Sequence, residues 1–174
     1  MAIPDTITKG WITPAWGIQH RDLEYDNEQF NDKESLDLWQ QLGYTQTKFT
    51  GDMYDMRRSE PSWMLNITEK FNWEHISWSV YRMSPGCVLP RHSDTYARFC
   101  KLHNVTDITN IVRGIVMLDN WASGHYLEIN DIGITNWRAG DYFIWRGDTP
   151  HTAANVGLTN RYTLQLTGIL KYVE

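Results

Sequence analysis

The sequence predicts a mainly β protein of the jelly-roll or sandwich type, preceded by a few short helices. From about residue 75 onward, short runs rich in β-branched and aromatic residues alternate with Gly, Pro and Asn turn signals. Before residue 75, two segments show helical spacing instead. We expect residues 1–174 to form a single domain, because 41% hydrophobic content over 174 residues suits one core and no repeat or biased linker interrupts the chain.

Two helices are predicted within residues 1–74, which we expect to support the β core. The segment 31–44 ends at the stop signal Gly43 and carries three apolar residues at helical spacing: Leu36, Trp39 and Leu42. A second helix is predicted from Pro61 to Phe71, with apolar residues at intervals of four: Trp63, Ile67 and Phe71. With no linker before the β region, we expect these helices to pack on one face of the sheet.

Six strand-like runs follow residue 75, each bounded by turn residues: 75–83, 110–118, 124–130, 133–137, 140–145 and 161–170. In the last run, alternation places Tyr162, Leu164 and Leu166 on one face and Arg161, Thr163 and Gln165 on the other. The apolar face needs a core. The polar face is therefore expected to line a cavity, because an arginine in an apolar interior without an anion carries a large desolvation cost.

The composition excludes some classes of function. The 16 Lys and Arg residues are scattered and outnumbered by 21 Asp and Glu, so no nucleic-acid surface is indicated. No apolar run is long enough to span a bilayer and the N-terminus does not read as a signal peptide, so we expect a cytoplasmic protein without membrane contact. The two cysteines, Cys87 and Cys100, are interpreted as ordinary thiols in a reducing compartment.

Three residues suggest a metal site. His92 and Asp94 follow turn signals at the end of a strand, and their spacing points both side chains the same way on an extended chain. His151 also follows a strand and a turn, and a jelly roll can bring the two rims together. Two imidazoles and one carboxylate are typical of non-heme iron(II), although three such ligands also suit catalytic zinc. His125 is a reserve ligand.

Arg161, ten residues after His151, is a candidate anion binder. Its planar guanidinium, with the neighbouring Thr163 hydroxyl, suits a ligand carboxylate. A structural ion pair would explain Arg161 alone, but its position beside the proposed metal residues favours the ligand.

These residues resemble the iron(II)/2-oxoglutarate-dependent oxygenases, which have a double-stranded β-helix core. The resemblance consists of His92-Ser93-Asp94, His151 and Arg161-Tyr162-Thr163 in that order, with supporting matches at 137–141 and 155–157. Its pattern over about residues 75–170 is most similar to the aspartyl/asparaginyl β-hydroxylase branch. That branch lacks the carboxylate ligand that Asp94 would supply here, so its substrate is not carried over.

The resemblance implies a definite chemistry. Fe(II) would be held by His92, Asp94 and His151, and the co-substrate 2-oxoglutarate would chelate it and reach Arg161 and Thr163. With O2 the co-substrate would be converted to succinate and CO2, and the usual outcome is hydroxylation of a second substrate.

Two further residues are candidate co-substrate contacts. The Tyr81 hydroxyl could reach 2-oxoglutarate, and Arg113 is a second candidate anion binder because it shares a strand face with core residues. Trp78 lies on the opposite face of the strand from Tyr81, so at most one of them faces the pocket, and Trp78 is kept in reserve.

The substrate is left open as a small molecule or a peptide, and the oligomeric state is also open. Residues 95–110 are interpreted as a lid, a substrate loop or a displaced helix, with Tyr96, Arg98 and Phe99 as candidate substrate contacts. Two other functions stay possible at this point. One is a cupin-type metal enzyme of another class, such as a hydrolase or isomerase, and the other is a non-catalytic β-sandwich module whose tryptophans stack on carbohydrate.

Overall fold

A computed structural model describes residues 7–44 and 49–171. Its described helices are α1 (Lys33–Gln41), α2 (Ser62–Thr68) and α3 (Ala97–His103), with 3₁₀ turns at Gln19–Arg21 and Ile108–Asn110. Its described strands are β1 (Thr8–Trp11), β2 (Asp26–Gln29), β3 (Thr50–Asp55), β4 (Trp73–Met83), β5 (Val88–His92), β6 (Ile111–Met117), β7 (His125–Ile129), β8 (Ile132–Ile134), β9 (Asp141–Arg146), β10 (His151–Asn155) and β11 (Arg161–Leu170).

The strands form two antiparallel sheets. The large sheet has seven strands in the order β1-β9-β6-β11-β4-β3-β2, and the small sheet has four in the order β5-β10-β7-β8. Consecutive strands repeatedly fall in different sheets or non-adjacent positions, which is the connectivity of a jelly roll. The predicted fold class, a mainly β double-stranded β-helix with N-terminal helices, is confirmed.

Two apolar clusters hold these layers together. The outer cluster joins α2, through Trp63, Met64 and Ile67, to the outer face of the large sheet. The inner cluster lies between the sheets and contains Met83, Ile115, Met117, Leu127, Ile129, Phe143, Trp145 and Ala153 among others. Strand β11 divides between them: Tyr162, Leu164 and Leu166 belong to the outer cluster, while Arg161 and Gln165 line a cavity on the inner side, both as predicted. Thr163, which was predicted to line the same cavity, is fully buried and is not among the residues that line it.

The N-terminal part departs from the prediction in two ways. Strands β1, β2 and β3 all precede residue 75 and extend the large sheet, although the prediction gave this part only helices and irregular segments. Helix α1 also lies elsewhere than expected. Its Trp39 is 1% exposed and contacts Phe30, Phe49 and His92 at the rim between the sheets, not the outer face of the large sheet, and Leu42 is 67% exposed.

The segment 95–110 contains α3 and a 3₁₀ turn, so of the predicted alternatives the displaced helix is the one observed. Helix α2 stops at Thr68, three residues before the predicted end, although Phe71 is buried as expected. Among the described residues, no helix combines the length and the apolar character needed to cross a membrane.

Candidate metal centre and cavity

His92, Asp94 and His151 meet at one end of the space between the sheets. His92 is the last residue of β5 and His151 the first of β10, and the two lie directly opposite each other in the antiparallel register. Asp94 follows two residues after His92. One ligand atom from each residue lies within 4.8 Å of the others, with His92 Nε2 3.7 Å from Asp94 Oδ1 and His151 Nε2 3.8 Å from Asp94 Oδ2.

Hydrogen bonds to the backbone orient both imidazoles. Nδ1 of His92 lies 2.7 Å from the Pro90 carbonyl oxygen, and Nδ1 of His151 lies 3.2 Å from the Thr149 carbonyl oxygen. In the tautomer that donates these bonds, the Nε2 lone pairs are left free beside Asp94. This is the arrangement by which proteins usually fix metal-binding histidines.

The ionisation of His151 and Asp94 suits a divalent metal. Burial lowers the pKa of His151 to about 4, so its imidazole is neutral near pH 7. Burial alone would raise the pKa of Asp94, but attraction from Arg113, His151 and His92 outweighs it and the pKa lies below its ordinary value. Two histidine imidazoles and one carboxylate are a donor set for iron(II), zinc or a related ion.

Aromatic side chains surround the two histidines. The rings of Phe30 and Trp39 meet the His92 imidazole edge to face, at centroid distances of 4.9 and 5.7 Å. Trp39 also donates its indole N–H to the carbonyl oxygen of Arg91, at 3.3 Å. Trp145 lies 5.6 Å from the His151 ring. Phe30 and Trp39 both precede residue 75, so the N-terminal part of the chain forms one wall of the site.

A cavity of about 230 Å³ runs from these three residues into the space between the sheets; we call it the inner cavity. Apolar side chains form much of its wall, including Leu89, Ile115, Leu127 and Trp145. Arg161, the first residue of β11, also lines it.

Arg161 is buried without a counter-ion. It is 3% exposed, and its Nη1 donates to the Tyr126 carbonyl oxygen at 2.6 Å. Its Nε has no hydrogen-bond partner, and within residues 7–44 and 49–171 no carboxylate forms an ion pair with it. The neighbouring Thr163 hydroxyl is also buried without a partner. Burial lowers the pKa of Arg161 to about 10, so it stays charged near pH 7.

Arg113 lies at the other end of the inner cavity, near Asp94, and each of its three nitrogens contacts a polar group of the chain. Its Nε is 3.5 Å from Asp94 Oδ2, its Nη1 donates to the Thr167 hydroxyl at 2.8 Å, and its Nη2 donates to the Gln165 side-chain oxygen. In this structure the guanidinium offsets the charge of the candidate ligand Asp94. The role of Arg113 as a co-substrate anion binder stays a prediction.

Tyr81 lines the inner cavity, as predicted, and its phenol ring lies over Gly51. A Cβ at residue 51 would come within 2.0 Å of the Tyr81 hydroxyl oxygen, so glycine is needed there. Burial raises the pKa of Tyr81, and the nearby Arg161 opposes that shift. The hydroxyl is therefore protonated near pH 7 and lies on the Arg161 side of the cavity.

The two reserve residues are not at the site. Trp78 belongs to the outer cluster, because it faces away from Tyr81 on β4. His125 lies on β7, where its Nε2 is 3.0 Å from the Thr159 carbonyl oxygen and its ring stacks on Trp137, and it is not in the cluster of possible metal ligands. His125 therefore serves the packing of the small sheet.

Of the three candidate substrate contacts, the structure brings Tyr96 to the site. Its hydroxyl is buried beside Asp94, and both burial and that carboxylate raise its pKa. Phe99 is buried against His103, at 4.7 Å between ring centroids, and Arg98 is exposed; neither lines the inner cavity. The difference follows from position: Tyr96 comes directly before α3, whereas Arg98 and Phe99 lie within that helix.

Sequence reasoning missed the roles of Phe30, Trp39 and Trp145 in the wall and of Gln165 in holding Arg113. The alternation in β11 had placed Gln165 on the cavity side, which was a usable signal. Phe30 and Trp39 gave none, because their contacts depend on how the N-terminal part folds back on β5.

The fold and this site define a class: double-stranded β-helix, or cupin-fold, proteins with a possible His-Asp-His metal site. Among solved structures with this fold, a prolyl-4-hydroxylase from Pseudomonas putida matches with a TM-score of 0.58 at 13% identity, covering 95% of this chain and 93% of that one. A predicted oxalate decarboxylase from Thermotoga maritima matches at 0.44 and 13% identity over 98% and 100% of the two chains.

A cupin protein from Bacteroides fragilis matches with a TM-score of 0.40 at 14% identity, over 57% of this chain and 70% of that one. No family model matches the sequence, and no curated protein sequence matches it. At these identities the likeness shows the fold alone.

Proposed function

We propose that this protein is a non-heme iron(II)- and 2-oxoglutarate-dependent dioxygenase of the hydroxylase type. The observation that carries the proposal is Arg161, a buried cation that forms no ion pair with any described carboxylate and that lines the same cavity as the three candidate metal ligands. A buried unpaired charge is strongly unfavourable, so the cavity favours an anionic ligand that brings a carboxylate to Arg161.

The candidate ligands fit an iron(II) ion by their donor chemistry. His92, Asp94 and His151 would hold it, with Pro90 and Thr149 carbonyl groups fixing the imidazoles and Arg113 fixing the carboxylate. Iron bound there would supply the activation of dioxygen and the oxidative decarboxylation of 2-oxoglutarate to succinate and CO2, coupled to hydroxylation of a second substrate.

The remaining cavity residues would bind and orient 2-oxoglutarate. Arg161 would bind its distal carboxylate, assisted by the Tyr81 hydroxyl, which lines the same cavity. The Thr163 hydroxyl, opposite Tyr81 in the register of β4 and β11 and without a hydrogen-bond partner among the described residues, would assist as well. The apolar wall formed by Leu89, Ile115 and Leu127 would keep water from the reacting centre. A shared fold with a prolyl-4-hydroxylase over most of both chains is consistent with this chemistry.

The carbohydrate-binding alternative loses its main support. Eight of the nine tryptophans are buried or half-buried, and the exposed one, Trp11, is covered on its face by Arg138 at 5.0 Å. A metal enzyme of another class would use the same three ligands, but it has no need for Arg161. Arg161 is therefore the residue that separates the two enzyme proposals.

The test is conversion of 2-oxoglutarate to succinate by the protein loaded with iron(II) under argon and then exposed to oxygen. We expect slow succinate formation even without a second substrate, loss of iron binding and turnover in His92→Ala, and unchanged turnover in His75→Gln, a control at an exposed histidine. Failure of the wild-type protein to bind 2-oxoglutarate in the presence of iron would refute the proposal.

A further inference from the structure

A second cavity of about 260 Å³ adjoins the inner cavity on the other side of Asp94 and Arg113; we call it the outer chamber. Its walls come from three places: the residues before α1, the segment between β5 and α3, and the large sheet. The two spaces share Phe30, Asn31, Asp94 and Arg113. A molecule in the outer chamber would therefore lie against a candidate metal ligand.

The two cavities differ in chemistry. Apart from Phe30, every side chain that lines the outer chamber is polar, and besides the shared residues these are Asp32, Ser93, Thr95, Tyr96 and Thr167. The inner cavity has at least seven apolar lining residues by contrast. A chamber lined by hydroxyl, amide and carboxylate groups suits a hydrophilic ligand, because an apolar one would bury those groups without hydrogen-bond partners.

The charges of the outer chamber exclude an anion as its preferred ligand. Arg113 is the one cationic side chain among the residues that line it, and its three nitrogens already contact Asp94, Thr167 and Gln165. The other ionisable residues of the wall are acidic. An anion placed here would meet carboxylates and no available cation.

Asp32 supplies a free hydrogen-bond acceptor. Its Oδ2 accepts two bonds from Ser35, from the backbone N–H at 3.2 Å and from the hydroxyl at 2.5 Å, as the N-cap of α1. Its Oδ1 has no partner in the part of the chain that the structure describes. The N-terminus of α1 offsets part of the carboxylate charge, so Asp32 suits an O–H or N–H donor without requiring a full positive charge.

Tyr96 supplies a second polar group. Its hydroxyl is buried beside Asp94 without a well-formed hydrogen bond among the described residues. Its backbone lies in the left-handed region, with φ at 51°, and its ring packs over Gly147, where a Cβ would meet it at 3.2 Å. The ring is thus held in place in the wall of the outer chamber, with its hydroxyl beside Asp94.

From this arrangement we infer that the outer chamber is the binding site for the second substrate, and that this substrate is a small hydrophilic molecule or side chain rich in O–H and N–H donors, neutral or cationic and not anionic. The inference rests on the proposed function in one respect: 2-oxoglutarate would occupy the inner cavity and leave the outer chamber for the substrate. The volume suits a group about the size of an amino acid or a small polyol.

The test is amide NMR of the zinc-loaded protein, since zinc takes the same ligands and is not redox active. Four probes of similar size are compared: serinol and glycerol, which donate; ethanesulfonate, which is an anion that does not chelate zinc; and 1,3-dimethoxypropane, which only accepts. We expect serinol and glycerol to shift the amides of residues 31–32 and 93–96, and the other two probes to leave them unmoved. Equal or stronger shifts with ethanesulfonate or 1,3-dimethoxypropane would overturn the inference, as would the absence of shifts with all four.

Two variants sharpen the result. Asp32→Asn keeps the N-cap, because asparagine caps helices as well as aspartate does, but it removes the charge; we expect serinol affinity to fall about tenfold. Tyr96→Phe removes only the hydroxyl and is expected to cost about threefold to fivefold. Glu34→Gln, at an exposed carboxylate in the first turn of α1, is the matched control and should change nothing. Unchanged serinol binding in Asp32→Asn would contradict the assignment.

The same spectra keep this inference separate from the proposed function. Binding of 2-oxoglutarate is observed at the amides of residues 161–165, which lie on the strand that carries Arg161. If those amides do not respond to 2-oxoglutarate, the proposed function fails while the outer chamber is still tested by the four probes. If they respond and the outer-chamber amides do not respond to serinol, the substrate assignment alone fails.

Discussion

The two ends of the inner cavity each contain an arginine, and the two arginines are in opposite states. Arg113 contacts an acid, a hydroxyl and an amide, so its charge is matched within the folded chain. Arg161 is more deeply buried and is bonded to one backbone carbonyl group. Burial of an unmatched charge opposes folding. We therefore interpret Arg113 as a structural residue and Arg161 as a residue whose charge is matched when a ligand binds.

The largest expected effect is that of Arg161→Met on ligand binding. Loss of a buried, charge-assisted contact should weaken 2-oxoglutarate binding at least about 100-fold, or roughly 3 kcal/mol, measured by calorimetry on the zinc-loaded protein. Without ligand, the same variant should unfold with an unchanged or higher free energy, because it removes an unmatched buried charge. The exposed Arg138→Met is the control. Undiminished affinity in Arg161→Met would favour a metal enzyme of another class.

The next effect is a loss of stability at Arg113, opposite in sign to the effect on stability expected at Arg161. Arg113→Met leaves the Asp94 carboxylate without its partner, so the free energy of unfolding should fall by about 2 kcal/mol, discounted because the Asp94 side chain is 26% exposed. Denaturant titration measures it. The double variant with Asp94→Asn should recover most of the loss, and a failure to recover would show that Arg113 acts mainly through Thr167 and Gln165.

Two threonines on β11 repeat the comparison on a smaller scale. The buried hydroxyl of Thr163 has no hydrogen-bond partner within residues 7–44 and 49–171, whereas the Thr167 hydroxyl accepts a bond from Arg113. Thr163→Val should leave stability unchanged or slightly higher and weaken 2-oxoglutarate binding about fivefold, while Thr167→Val should lower stability by about 1 kcal/mol. Thermal unfolding and calorimetry together distinguish these results. Similar losses of stability in both variants would show that the Thr163 hydroxyl, like that of Thr167, contributes to the folded structure.

The smallest effect comes from an ordinary ion pair outside the cavity, which gives a baseline. Asp119 is half-buried; burial alone would raise its pKa, but the Arg21 guanidinium, which donates to the carboxylate at 3.0 Å, and the nearby His20 imidazole outweigh burial and lower the pKa. A lowered acid pKa adds stability above the unfolded value near 4, and that stability is lost as pH falls through the folded value. Asp119→Asn should therefore lose about 1 kcal/mol near pH 7 and show a shallower loss in acid. If the variant lost stability in acid as steeply as the wild-type protein, the pH dependence would have to come from other carboxylates.

Sequence patterns predicted the β core and placed the candidate site residues because both depend on local rules. Turn signals after strands put His92, Asp94 and His151 on rims, and alternation in β11 turned Arg161 inward. Their roles in metal and co-substrate binding stay predictions. Strand β2, with the sequence DNEQ, could not be found because a polar strand at a sheet edge has no apolar alternation. The place of Trp39 and the pairing of Arg113 with Asp94 depend on long-range packing, which spacing along the chain does not encode.

The direct opposition of His92 and His151 has a mechanical consequence. β5 is an edge strand of the small sheet, paired on one side with β10, and the register between these strands shifts just after His151. An ion bound by both histidines would link β5 to β10 at the end of their pairing. Metal loading should thus slow amide hydrogen exchange along β5. The exchange rate of this strand would then report whether the metal centre is occupied.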